Sequence, residues 1–127
     1  RDTGILHRLL LQPDFNTLLG NPVFGASWEG LVIENIIMNM PDWTPYFYRT
    51  ASGSEIDLIL EQGGRTIAIE CKASTSPQLT RSWWDALDDI APVKTFVVAP
   101  VTVEPYQLKP DVVVSSLYDT IVALKAL

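Results

Sequence analysis

The stretch EIDLILEQGGRTIAIECK, residues 55–72, holds two runs of alternating apolar residues joined by Gly63-Gly64. A Gly-Gly pair between such runs predicts a two-residue hairpin turn, because the turns that suit twisted strands need positive φ at their centre. Pairing Gln62 with Arg65 fixes the register, and each step away from the turn pairs the next residue on either side. Asp57 then faces Glu70, and Glu55 faces Lys72. A four-residue loop centred on the same glycines keeps this pairing; a three-residue loop destroys it.

Opposed side chains of an antiparallel pair share a face. One face carries Ile56, Leu58, Leu60, Ile67, Ile69 and Cys71, and its uniform apolarity predicts packing under helices. The other carries Asp57, Ile59, Ala68, Glu70 and Lys72. Two opposed carboxylates repel, so this face requires a cation between them or a proton on one. Two readings meet the requirement. In one, Lys72, helped by Arg49, neutralises the pair as a salt-bridge cluster on a solvated face. In the other, Asp57 and Glu70 hold a hard divalent ion such as Mg²⁺, which takes one or two carboxylates together with waters and phosphate oxygens. Lys72 then stands where an ammonium orients a water or stabilises charge on a phosphate, and the three residues form a site for metal-assisted hydrolysis.

The rest of the chain places this hairpin in an α/β domain. GILHRLLL (4–11) has the spacing of a short amphipathic helix, followed by a loop from Pro13 to Gly25. Ser27 is the predicted N-cap of a largely buried helix that runs from Trp28 to a stop at Pro41. Glu29 and Glu34 interrupt its apolar pattern, and Glu34 is expected to face solvent. PYFYRT (45–50) reads as a strand, and residues 77–90, with Pro77 in the first turn, as a helix. KTFVVA (94–99) and DVVVS (111–115) are short β-branched runs that predict buried strands. SLYDTIVALKA closes the chain as a helix. This order predicts an α/β sandwich around a mixed sheet, a single domain over residues 1–127 without repeats or linkers.

Composition narrows the chemistry. Fifteen acidic against nine basic residues give a net charge of −6, which argues against a strong free-standing nucleic-acid binder, since such binding depends on Lys and Arg. With one histidine (His7) and one cysteine (Cys71), neither a zinc site nor a Cys–His nucleophile pair is expected. His7 is expected to be a surface or cap residue, and Cys71, on the apolar face, an inert core thiol. No apolar run reaches the roughly 18 residues of a membrane span, no signal peptide is recognisable, and the lone cysteine suits a reducing compartment. These features point to the cytoplasm. Trp83 and Trp84 are adjacent, so both cannot face one core; one of them is expected to mark a docking surface.

Asp57, a short hairpin and then Glu70-Cys71-Lys72 resemble the core of PD-(D/E)XK nucleases, the restriction-endonuclease-like fold, with Ile56 in place of the usual Pro before the Asp. GASWEGLVIENI resembles the first helix of archaeal Holliday-junction resolvases, where a Gly-x-x-x-Glu step supplies an acidic residue; Glu29 falls on that position. The ASGS at 51–54 resembles the loop before the metal-binding Asp of the same enzymes. Over almost the whole chain, RDTGILHRLL, the Gly-x-x-x-Glu helix, YFYRTASGSEIDLIL and IAIECKAS together resemble the C-terminal domain of prokaryotic AAA-type P-loop ATPases, which is also nuclease-like in fold.

The resemblance implies a three-layer sandwich with a mixed central sheet of about five strands flanked by helices. It implies Asp57 and Glu70 as metal ligands, the Cys71 backbone carbonyl as a third, Lys72 as the catalytic lysine and Glu29 as completing the acidic cluster. Glu55 would lie beside Lys72 and hold or compete for it. Tyr48 and Arg49 either face a phosphate or serve as edge packing and a surface ion pair. The implied cofactor is Mg²⁺, with Mn²⁺ as a substitute, and the implied substrate is DNA. The chain lacks a phosphate-binding loop and begins at Arg1, so an ATPase module upstream in the same polypeptide is the expected partner, docked on apolar surface that also allows a homodimer. Two functions follow: a Mg²⁺-dependent deoxyribonuclease, or a catalytically silent nuclease-like module that regulates the ATPase.

Overall fold

The computed structural model describes residues 22–49, 53 and 55–127. The helix expected over 4–11, with His7, lies outside them, as does most of the ASGS stretch. The described elements are α1 (Pro22–Asn39), β1 (Thr44–Arg49), β2 (Glu55–Gln62), β3 (Arg65–Cys71), α2 (Arg81–Ile90), β4 (Lys94–Val98), β5 (Tyr106–Lys109), β6 (Val112–Ser115) and α3 (Leu117–Lys125).

Six strands form one mixed sheet in the order β1-β2-β3-β4-β6-β5. The first three make an antiparallel meander, β3, β4 and β6 run parallel, and β5 returns antiparallel on β6. Helices cover both faces. Trp28, Val32 and Ile36 of α1 and Leu117, Ile121 and Leu124 of α3 pack on Leu58, Leu60, Ile67, Ile69, Phe96 and Val98. Across the sheet, Trp83, Ala86 and Leu87 of α2 pack on Ile59, Ala68, Val97, Val112 and Val114. This is the three-layer α/β sandwich that the sequence predicts, with one strand more.

The extra strand, β5, is hard to read from sequence because it is only four residues long and all four are exposed, so its Tyr-Gln-Leu-Lys alternation is too short to stand out. Its signal is the Pro110-Asp111 pair before the Val run; Asp111 takes φ 66°, a turn conformation that Asp tolerates better than most residues.

Two helix starts differ from expectation. α1 begins at Pro22, so Ser27 is inside the helix and is not its cap; a proline at the first helical position, with φ preset, sets the earlier start. α2 begins at Arg81 rather than Pro77, because the Thr80 hydroxyl accepts from the Trp83 backbone N–H (3.2 Å) and caps the helix there. Of the paired tryptophans, Trp83 is buried and Trp84 half-buried, with the Lys109 ammonium 4.3 Å from the centre of its ring. Glu34 is half-buried rather than fully turned to solvent.

The hairpin has the predicted register near its turn: Gln62 pairs with Arg65, Leu60 with Ile67 and Leu58 with Ile69. Gly63 and Gly64 both adopt positive φ, 57° and 83°. The prediction fails at Ile56. Tyr46 pairs with Ile59 but Tyr48 with Ile56, so two steps along β1 match three along β2. That is a β-bulge, and it turns Ile56 into the α2-side core with Ile59 instead of beside Leu58 and Leu60. Asp57 lies in the bulge.

Candidate functional site

The regular β2–β3 ladder ends at Leu58–Ile69, and beyond it two carboxylates take over from backbone pairing. The Asp57 backbone N–H donates to Glu70 Oε1 (3.2 Å), and the Cys71 backbone N–H donates to Asp57 Oδ2 (2.8 Å). Each acid thus satisfies an N–H that the bulge has removed from the ladder. The clasp holds both side chains in place and leaves Asp57 Oδ1 and Glu70 Oε2 outside it. Lys72, just past the end of β3, is anchored through its backbone N–H to the Val98 carbonyl (2.9 Å) and brings its Nζ to 3.6 Å from Glu70 Oε2.

The site is electrostatically strained. Glu70 is only 7% exposed, and burial first, then the charge of Asp57, push its pKa up to about 7; the Asp57 N–H and Lys72 oppose the rise. Burial also raises Asp57, against the Cys71 N–H and Lys72, while Glu55 adds to the rise. Glu29, half-buried on α1, is raised by burial and then by Asp57, and is eased by the Ala73 backbone N–H and by Lys72. Glu29 from a helix and Glu70 from a strand end therefore each lie in the field of Asp57 in the bulge and Lys72 in the loop. Three acids share one ammonium.

The Lys72–Glu70 ion pair of the salt-bridge reading is present at 3.6 Å, but its solvated face and the help of Arg49 are not. Glu70 is buried, and Arg49 is turned away to Glu55 in an exposed ion pair at 2.8 Å. Tyr48 packs against the α2-side core, so both it and Arg49 take the packing and ion-pair roles. Cys71 is buried in the α1–α3 core with its thiol pKa pushed up by burial and the nearby acids, as an inert thiol requires. Among the described residues, no three Asp, Glu, Cys or His side chains gather into a set that holds an ion by itself.

Beside Glu70 and Lys72 opens a cleft of about 190 Å³, lined also by Gly53, Glu55, Thr80, Ser82 and Trp83. The first turn of α2 was not read as part of the site. The Thr80 cap and the apolar spacing mark a helix start, but nothing local to the sequence says that this start abuts β3.

The chain belongs to a known sequence family. A family profile described as "Domain of unknown function (DUF4143)" matches residues 24–118, and the chain belongs to that family, which occurs in proteins associated with AAA-type ATPases. The uncharacterized proteins Mb2031c of Mycobacterium bovis and Rv2008c of Mycobacterium tuberculosis are each 40% identical over 100 residues, covering 79% of this chain and 23% of theirs. The chain thus spans less than a quarter of the length of these relatives. No solved structure matches. Among the described residues, no helix is long and apolar enough to cross a membrane.

Proposed function

We propose that the domain is a PD-(D/E)XK-type, Mg²⁺-dependent phosphodiesterase acting on DNA, carried in one polypeptide with a P-loop ATPase module. The observation that supports this reading most is the pairing of half-buried Asp57 with buried Glu70. Two neighbouring carboxylates, Glu70 held by the Asp57 N–H and Asp57 by the Cys71 N–H, with raised pKa values and one ammonium 3.6 Å from Glu70, carry an unmet demand for positive charge. Their hard oxygens suit Mg²⁺, which needs only one or two protein carboxylates and completes its shell with water and phosphate.

In this reading Asp57 and Glu70 hold the ion, the Cys71 carbonyl at the end of β3 contributes a further oxygen, and Glu29 adds negative charge from α1. The bound ion would polarise the phosphodiester and lower the pKa of a water. Lys72 orients that water and stabilises charge on the phosphoryl oxygens; Glu70 keeps its ammonium beside the metal position. Mn²⁺ is expected to substitute.

A second reading is favoured by the acidic net charge of −6 and by the absence, among the described residues, of a ready-made three-ligand cluster. In it the domain is a silent nuclease-like module that contacts and regulates the ATPase, with Trp84 in the docking surface and homodimerisation through the same patch when the partner is missing. Cleavage of plasmid and branched DNA in Mg²⁺ separates the two. The nuclease reading expects cleavage that Lys72→Ala lowers by about 10²–10³-fold without unfolding the protein, the scale of losing a charge-stabilising donor. No cleavage of any DNA or RNA substrate, with metal bound normally, selects the regulatory reading.

A further inference from the structure

The wall of the cleft beside Glu70 contains a donor that makes no hydrogen bond of proper geometry in the fold. Trp83 is 4% exposed, and its indole N–H is buried without a hydrogen-bond partner among the described residues. A desolvated donor left unpaired costs about 1–3 kcal/mol; the Trp28 indole N–H is in the same state inside the α1-side core, but only Trp83 borders the cleft. The indole N–H lies on the Glu70 side, where it favours the charged carboxylate without reaching hydrogen-bond geometry. The ring packs in the α2-side core and also lines the cleft, so its N–H stands at their boundary.

Its neighbours suit an oxygen-rich ligand. Trp83 is the third residue of α2, a ten-residue helix whose N-terminus presents partial positive charge to the cleft. Thr80 and Ser82 bring hydroxyls 3.1 Å apart on the same wall, and Lys72 stands opposite with its ammonium. Glu55 also lines the cleft, but its charge is engaged by Arg49. A fixed N–H, two hydroxyls, a helix N-terminus and an ammonium converge on a space of about 190 Å³, large enough for one phosphate group.

We propose that this cleft is a phosphoryl-oxygen subsite in which the Trp83 indole N–H donates to an oxygen of the bound phosphate, opposite Lys72. The assignment rests on the phosphodiesterase reading, because the carboxylates admit an anion here only together with a divalent cation. It adds a substrate-contacting residue from α2 to a site otherwise built on the hairpin and α1.

The test is the indole N–H region of a ¹⁵N NMR spectrum of the 127-residue chain, which has four tryptophans and so four indole signals. Trp83→Phe, which keeps an aromatic ring in the core, assigns the Trp83 signal by its loss. Titration with inorganic phosphate in saturating Mg²⁺ should move that signal downfield and saturably, while the Trp28, Trp43 and Trp84 signals stay in place. Lys72→Met should weaken the response at least tenfold. A Trp83 signal that does not move, or four signals that move together, overturns the subsite. Mn²⁺ binding, measured on the same sample, keeps the two failures apart: metal bound normally with a silent Trp83 refutes only this inference. Absence of metal binding refutes the phosphodiesterase reading and the subsite with it.

Discussion

The two ends of the β2–β3 hairpin are built by different rules. At the turn end, Gly63 and Gly64 supply the positive φ that a tight turn needs, the ladder is regular, and the charged residues sit in water. Glu61 there caps the Gly64 N–H (3.1 Å), and Gln62 accepts from Arg65 (3.2 Å). At the open end, fewer than ten residues away, the ladder has given way to a bulge, and a half-buried Asp57 and a buried Glu70 accept backbone N–H groups in its place. The turn end follows every local rule of strand design; the open end breaks three of them and is held by its neighbours. Such departures concentrate where a protein does chemistry, because stability alone gives no reason to keep them.

The difference has a measurable sign. Glu70 has a pKa of about 7 in the folded chain against an ordinary 4.5, so between those values the folded state holds a proton that the unfolded state has lost. Stability must therefore fall as pH rises from about 4.5 to about 7, and level off beyond. Asp57 and Glu29 are shifted in the same direction. Glu70→Gln keeps an oxygen for the Asp57 N–H and removes the charge. It should leave stability unchanged at pH 4 and raise it by on the order of 3 kcal/mol at pH 8 without metal, as read by urea denaturation. A wild type whose stability is flat over this range breaks the comparison.

The clasp itself gives the next largest effect. Asp57→Ala and Asp57→Asn both remove the charge that raises Glu70, but Ala strands the Cys71 N–H whereas Asn keeps an acceptor for it. The Asn variant should be more stable than the Ala variant by about 2 kcal/mol at neutral pH. Equal stabilities would mean that the hydrogen bond contributes nothing and that the bulge is held by packing alone.

At the turn end the effects are smaller and purely conformational. Gly63 has φ 57° and nothing within 4 Å of where a Cβ would stand, so Gly63→Ala meets backbone strain and no clash. It should cost about 1 kcal/mol, with no change in metal affinity. A change in affinity would show that the two ends are coupled, contrary to their separate construction.

How far the sequence discloses this structure follows from the same contrast. The Gly-Gly turn, the paired register from Gln62–Arg65 to Leu58–Ile69 and the helix–strand order are set by local chemistry, so they are legible. The bulge at Asp57 is not, because it depends on how β1 meets β2 across the sheet, and alternation alone put Ile56 on the wrong face. Glu29, Asp57, Glu70 and Lys72 were found together through a motif, and the structure brings them into one field. Thr80, Ser82 and Trp83 were not found, since their approach to β3 is a product of helix docking. Strand β5 is illegible for a simpler reason: four exposed residues alternate too briefly to tell an edge strand from a loop.

The central claim is that the open end of the hairpin holds a divalent cation between Asp57 and Glu70. Titration calorimetry with Mn²⁺ tests it most directly, using variants that preserve the clasp. The wild type and Gly63→Ala should show the same weak site, and Asp57→Asn and Glu70→Gln should each lose it. Equal binding by all four proteins would contradict the claim.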